Sequence, residues 1–423
     1  MFDKLIQIWK AKEVRNKILY VLGMLVVFRL AAHIPIPGVN QTALHNLFAS
    51  NQILGLMNLF SGGGMETFSI VMMGVAPYIT SSIIFQLLGM IVPSIEEMQK
   101  EESGRQKINM WTRWLTVPLG VLQSYGMITL LRRSSSGILG NVSTFDFISI
   151  LITITAGTML LMWIGELITE QKVGNGISLI IFAGIVAALP QMVQQIIITF
   201  DQSQLFMLIG FAVIAVITVV GVVVINEGQR NIPVQYARQI RGNRAFGGTS
   251  THLPLRVNMA GVIPIIFAVS VVLFPPMIAQ FLIHAKTAWI ASAANGVINL
   301  FNNQLFYGII YFLMVFAFTY FYTEVIFHPA QIAENLQKQG GFIPGIRPGK
   351  TTSDYLAATT HKIILVGALF LGLIAVLPLV MQAVTGIQAF AIGGTSLLIV
   401  VSVVIETVKQ IESQLTMREY DGL

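Results

Sequence analysis

Chemistry inside a membrane needs ionisable or nucleophilic side chains at depth, because a proton, an ion or a scissile bond must meet a fixed group there. In this 423-residue chain the carboxylates nearest the apolar segments, Glu166, Glu227, Glu324 and Glu406, all sit near segment ends. An intramembrane protease would pair Ser with His or bring two Asp together. His33 and His45 lie at or beyond the outer end of the first apolar segment, His284 is external, and His252, His328 and His361 fall at inner boundaries; no Asp pair lies in a span. There is no Cys, and no glycine-rich loop ends in Lys followed by Ser or Thr. No catalytic residue, metal ligand or cofactor is therefore expected, and energy from a nucleotide would have to enter through a partner.

One charge does lie well inside a span. Arg29, in FRLAAHIPIPG, is about five residues from the outer end of its segment, within reach of snorkelling or of a structural hydrogen bond to a neighbouring helix. Uncharged polar residues are the commoner feature: Thr80, Ser81, Ser82 and Gln86 in APYITSSIIFQ, and Asn175 and Ser178 in TEQKVGNGIS. Such groups join helices at about 0.6 kcal/mol each and make a seam that can open without exposing charge. The glycine triplet Gly62, Gly63 and Gly64 directly precedes one apolar segment, and Pro77 lies seven residues into it, where it is expected to disturb the preceding turn.

The elements that must hold these residues follow from composition. The chain is 55% hydrophobic and 10% charged, with mean hydropathy +0.75, and apolar stretches of about 20 residues recur throughout. This predicts an all-α polytopic membrane protein with spans at 18–34, 70–92, 114–131, 147–167, 177–198, 206–226, 257–281, 304–326, 361–380 and 391–408. The first segment is followed by many more and has no small-residue cleavage signature, so it is read as a span. Of the 25 basic residues, 21 fall on one side of this arrangement, three (Arg132, Arg133 and Lys286) on the other, and Arg29 within a span. The rich side is cytoplasmic by the positive-inside rule, which puts both termini there. Two large cytoplasmic loops result, 226–256 and 327–360. In the first, Arg238, Arg241 and Arg244 recur every three residues and would form one basic stripe on a helix; in the second, GGFIPGIRPG has the punctuation of an ordered tip.

Eight motifs in order, FRLAAHIPIPG, NLFSGGG, APYITSSIIFQLL, EESGRQKIN, GTMLLMWIGELITEQKVGNGISLIIFAGIVAALP, STHLPLRVNMAGVIPIIFA, FYTEVIFHPAQIAENLQKQGGFIPGIRPG and GGTSLLIVVSVVIETV, resemble over essentially the whole chain the bacterial SecY family (SecY/Sec61-alpha), central subunits of the Sec protein-conducting channel. The resemblance implies ten transmembrane helices in two pseudo-symmetric five-helix halves, 1–200 and 201–423. These would form a clamshell around a central hourglass pore, with a lateral gate between spans two and seven. It implies a short external plug helix at about 59–70, containing Ser61, Gly62, Gly63, Gly64, Met65, Glu66, Thr67 and Phe68, and a pore ring of Val75, Ile79, Ile181, Ile266 and Ile399. Val75 stands where the family usually has Ile, which would leave the ring slightly wider. A narrow apolar ring dewets and resists ions, yet imposes no hydrogen-bond pattern on a passing peptide. Thr80, Gln86, Asn175 and Pro264 are the gate candidates, Pro264 after Gly261 being a pairing that allows a kink in its helix.

Arg347 matches the family's coupling arginine, with Arg238, Arg241 and Arg244 as further contacts. The implied partners are SecE-like and SecG-like membrane subunits, the SecA motor ATPase, the ribosome and its RNA, signal sequences and unfolded preproteins, and the lipid bilayer. The implied location is the bacterial inner membrane. The residues by themselves also leave open a transporter of small solutes, which would want a midplane acid or base, and a non-conducting scaffold or insertase-like chaperone, which would leave the glycine-rich segment unexplained.

Overall fold

The computed structural model describes residues 9–50, 54–55, 57–58, 61–133, 138–139, 143–198, 205–236, 239–241, 244–246, 250–283, 287–385 and 388–421. Arg238 and the first two residues of the expected plug, Leu59 and Phe60, lie outside these. Every expected span coincides with a helix. The helices in order are α1 (Lys12–Ala32), the short α2 (Gln41–Ser50), α3 (Ala76–Ile91), the short α4 (Pro93–Lys100), α5 (Glu102–Arg133), α6 (Thr144–Glu170), α7 (Gly176–Ile198) and α8 (Leu205–Glu227). The chain continues through α9 (Ile263–Leu282), α10 (Ala288–Asn302), α11 (Gln304–Ile326), α12 (Pro329–Lys338), α13 (Lys350–Thr385) and α14 (Gln388–Asp421). Among the described residues five helices are long and apolar enough by themselves to cross a bilayer, and the bent pair α3–α4 makes a sixth. The remaining expected spans fall on helices whose apolar windows are shorter or more polar, α1, α7, α8 and α14.

Two of the spans start late, and for one reason. Hydropathy begins them at 70 and 257, whereas α3 begins at Ala76 and α9 at Ile263. Each is preceded by the same four-residue signal, Gly74-Val75-Ala76-Pro77 and Gly261-Val262-Ile263-Pro264. The glycine takes a left-handed φ (57° and 63°), the valine is the N-cap residue, and the proline sits in the first helical turn. A proline there removes an N–H that has no intrahelical partner anyway. Pro77 and Pro264 therefore start their helices; they do not disturb or kink them, which corrects the expectation at both positions. The 16 residues of α3 span only about 24 Å, less than the roughly 30 Å of a hydrocarbon core. The helix ends at Val92, and α4 leaves at 108°.

Packing is dense within residues 12–198 (α1 on α6 and α7, α3 on α5, α5 on α6, α6 on α7) and within 205–421 (α8 on α14, α9 on α11, α11 on α13, α13 on α14). The two sets meet along two seams, α3 and α5 against α9, and α1 and α7 against α14.

The first of the two long loops departs from the helical stripe expected of its arginines. The first is a β-structure: β1 (Gln229–Tyr236) pairs antiparallel with β4 (Ser250–Arg256) in unbroken register, with the short strands β2 (Gln239–Arg241) and β3 (Arg244–Phe246) paired between them. Arg241 and Arg244 are thus opposite each other across a hairpin, which replaces the expected helical stripe. β5 (Gly341–Phe342) of the second loop adds to the other edge of β1. Ile232 and Val234 alternate inward from β1 and join Leu255, Leu336, Ile343 and Leu356 in a separate small core. The two loops share one folded unit.

Candidate functional site

From Ser61 to Val75 the backbone forms consecutive turns with no regular helix. This segment is nonetheless deeply buried: Met65, Phe68, Ser69, Val71, Met72, Met73 and Val75 are all at most 1% exposed. Non-helical backbone at membrane depth survives only when protein covers it and hydrogen bonds satisfy it. Here Ser69 N donates to Gly64 O (2.9 Å), Gly74 N to Val71 O (2.8 Å) and Thr67 N to Gly63 O (3.3 Å). The plug expected as a short helix is a string of turns over the described residues 61–68, and left-handed φ values at Gly62, Gly63 and Phe68 (70°, 83° and 48°) show why a helix cannot run through it.

Three sets of contacts fasten this segment. At its start, Arg29 Nη1 donates to Gly62 O at 2.7 Å. In its middle, Asn58 and Glu66 bond reciprocally, Asn58 Nδ2 to Glu66 Oε2 at 2.9 Å and Glu66 N to Asn58 Oδ1 at 3.0 Å. His45 Nε2 on α2 lies 3.0 Å from the other Glu66 oxygen. At its end, Thr67 Oγ1 donates to Ala32 O (2.9 Å), Ile36 N to Phe68 O (2.9 Å) and Ile70 N to Ile34 O (3.1 Å), giving a β-bridge between Pro35 and Ser69.

The five expected ring residues come from four elements: Val75 and Ile79 from the start of α3, Ile181 from α7, Ile266 from α9 and Ile399 from α14. All are at most 5% exposed, and all belong to one contiguous apolar cluster that also contains Met65 and Phe68. The duplicated Gly-Val-x-Pro signal puts Ile79 and Ile266 at equivalent positions, two residues after each proline, and pairs Val75 with Val262, which is 1% exposed. Ile185, one turn after Ile181 on the same face of α7, is 2% exposed. Neither Val262 nor Ile185 was among the expected ring residues; the repeat would have found the first and an i, i+4 reading the second.

Along the α3–α9 seam lies a cavity of about 60 Å³. Its lining includes Met57, Met65, Met73 and Met277, with Ser61, Thr80, Gln123 and Ser270 as polar members. Thr80 Oγ1 donates to Ala76 O (3.0 Å) and accepts from Gln123 Nε2 (3.4 Å) on α5. Gln86 Nε2 donates to Ser82 Oγ (3.0 Å), while its buried Oε1 has no partner among the described residues. Asn175 does not join them. It caps α7, its Oδ1 accepting from Ser178 N at 3.1 Å, and α7 packs mainly on α6, α14 and α1.

Just before the start of α9 the structure adds a polar cluster absent from the expectations. Asn226 Nδ2 donates to Ser402 Oγ (3.0 Å), Asn258 Nδ2 donates to Asn226 Oδ1 (2.6 Å), and Asn258 Oδ1 accepts from Gly261 N (3.0 Å). Lys409 Nζ lies 2.8 Å from Glu227 and donates to Asn226 O at 3.3 Å. In the cytoplasmic unit Arg347 is exposed on a tip whose backbone is held by Thr352 Oγ1 donating to Arg347 O (2.9 Å). Nearby on α12, a direct hydrogen bond from Lys338 holds the Glu334 carboxyl below the usual carboxylate range. Among the described residues no group of three His, Asp or Glu side chains could hold a metal.

Comparison with known proteins places this arrangement in context. A family model described as SecY matches residues 69–408. The protein translocase subunit SecY of Halalkalibacterium halodurans is 44% identical, with 100% of this chain and 99% of that protein covered. The corresponding subunit of Bacillus subtilis is 45% identical at the same coverage. Among solved structures, "The structure of a protein conducting channel" superposes with a TM-score of 0.64 at 16% identity, covering 94% of this chain and 91% of that one. Canine Sec61 from a ribosome-channel complex gives 0.61 at 15% identity with the same coverage.

Proposed function

The chain belongs to the SecY family, and on that premise we propose that it works as a protein-conducting channel in which residues 61–68 plug an apolar constriction and the α3–α9 seam opens sideways to lipid. It is a multi-pass protein of the bacterial inner membrane and a channel, not an enzyme. The observation that carries the site assignment is the burial of Val75, Ile79, Ile181, Ile266 and Ile399 in one cluster, against which a non-helical segment is packed. Such a constriction grips any sequence equally, because it offers only dispersion and exclusion of water.

Two observations support the division into halves at about residue 200: packing is dense within each half and confined to two seams between them, and the Gly-Val-x-Pro start is repeated in α3 and α9. In this reading the seam of α1 and α7 with α14 is the hinge. The seam of α3 and α5 with α9 is the gate, with Thr80, Gln123 and Gln86 as its polar members. An apolar signal sequence leaves through it because each CH₂ that moves into lipid gains about 0.8 kcal/mol. The β-sheet unit with Arg347, Arg241 and Arg244 is the docking surface for a cytosolic motor or for ribosomal RNA phosphate. SecE-like and SecG-like subunits complete the membrane part. Both termini are cytoplasmic.

The test is transport into proteoliposomes holding this chain, a SecE-like subunit, SecA and ATP, with an unfolded signal-bearing polypeptide as cargo. Protease protection of the cargo that requires both SecA and ATP is the expected result. Cargo left digestible in well-assembled vesicles, with ribosomes as well as with SecA, would defeat the proposal.

A further inference from the structure

Arg29 is the one basic residue of the chain well inside an expected span, Lys362 standing at the edge of another, and burying a guanidinium there is costly unless something is gained. Snorkelling along its own helix would explain it, yet the side chain does not simply run out to water. It is half-buried, and Nη1 donates at 2.7 Å to the carbonyl of Gly62 in the segment read as the plug. Among the described residues it has no carboxylate partner, so this carbonyl is where the charge is spent.

The receiving site is shaped for the contact. Gly62 is wedged between α1 and α7: a Cβ built on it would stand 2.6 Å from Phe28 Cζ and 3.1 Å from Gly184 Cα. Phe28 is 1% exposed and cannot easily give way. The φ of 70° at Gly62 belongs to the left-handed region that other residues enter at a cost. Only a glycine can press its backbone against α1 and aim its carbonyl at Arg29.

We infer that Arg29 is a positioning residue for the plug: it latches the closed position through the Gly62 carbonyl, and release of this bond is part of opening. This rests on reading 61–68 as the plug. A charged donor on a neutral carbonyl in a partly dry site is among the stronger single hydrogen bonds a protein makes. It also suits a seal that must let go, because a backbone carbonyl can be handed to water as the plug leaves, whereas a buried carboxylate pair would strand two charges.

The absence of cysteine gives a clean reporter. Met65→Cys places one thiol at a plug position that is 1% exposed in the closed arrangement, and its modification by a membrane-impermeant maleimide added from outside reads displacement. Resting ion flux through reconstituted vesicles is the second readout. Arg29→Gln should raise both by about tenfold or more, Arg29→Lys should restore part of the seal, and Gly62→Ala should raise both with Arg29 intact. The double variant should match the larger single effect and not their product.

Wild-type flux and thiol reactivity in Arg29→Gln, or multiplicative effects in the double variant, would overturn the latch. Should Arg29→Gln fail to accumulate, the Gly62→Ala arm decides alone, and a normal seal there overturns the proposal. Deletion of 61–68 separates the two levels. If that deletion leaves flux unchanged, the plug reading itself falls; if it raises flux while Arg29→Gln does not, only the latch falls.

Discussion

Asn226, at the inner end of α8, shows how one polar residue can fix the relation of three helices. Its amide donates to Ser402 on α14, its carbonyl oxygen accepts from Asn258, and Asn258 in turn holds the left-handed Gly261 that starts α9. Replacing Asn226 by Leu would leave the Asn258 amide buried without that acceptor, a loss of about 1–3 kcal/mol. The expected outcome is a lower thermal midpoint in detergent, with a non-additive effect when Ser402→Ala is combined with it; an unchanged midpoint would mean that water replaces the bond at no cost. Hydropathy could not reveal this cluster. The asparagines look like ordinary span-end residues, and Ser402 is 176 positions from Asn226 in sequence. The proposed ring residues can be nominated from sequence for the opposite reason: their flanking motifs are distinctive, although the same five side chains would pass for lipid-facing filler on composition alone.

At the scale of elements, the apolar run from 70 to 92 divides into buried turns and a short helix, and a hydropathy window cannot tell these apart, because both are continuous apolar sequence. The signal that does separate them, Gly74-Val75-Ala76-Pro77 and its repeat at 261–264, was present in the sequence. Proline's helix-interior effect makes it look like an interruption, whereas its place in the first turn makes it a start. The position is testable. Pro77→Ala and Pro264→Ala should each change stability by no more than about 1 kcal/mol, chiefly through the unfolded chain, whereas proline introduced at Ile83, inside α3, should cost about 3 kcal/mol or more; equal losses in thermal melts would contradict the observed helix starts. The turns ahead of α3 carry their own expectation. Deleting 61–68 should raise resting ion flux while the helices still assemble, since among the described residues the segment bonds to α1 and α2 only through the side chains of Arg29 and His45 and the terminal carbonyl of Ala32, outside the helices' own backbone ladders. Aggregated or unstable protein after the deletion would instead make it a structural element of α1 and α3.

For the whole molecule, the consequence of the shared sheet is that the two cytoplasmic loops move as one body. β1 belongs to the loop joining α8 to α9, β5 and α12 belong to the loop joining α11 to α13, and Leu356 at the start of α13 is fully buried in their common core. A force applied at Arg347 would therefore reach α9, on the proposed gate side, and α13 through packed side chains and strand pairing. Reversing charge by Arg347→Glu should then lower partner-driven transport by about tenfold or more, because a rim charge governs the encounter and the register of docking. It should leave membrane insertion of the channel, its thermal midpoint and its resting ion flux unchanged, because the side chain is exposed and touches neither seam. Leu356→Ala is the complementary change. It empties the common core, at about 2–5 kcal/mol, and should make both loops protease-sensitive together while Arg347 itself is intact. If Leu356→Ala loosened one loop only, the loops would be separate devices, and coupling through a single rigid unit would have to be abandoned even if Arg347→Glu behaved as expected.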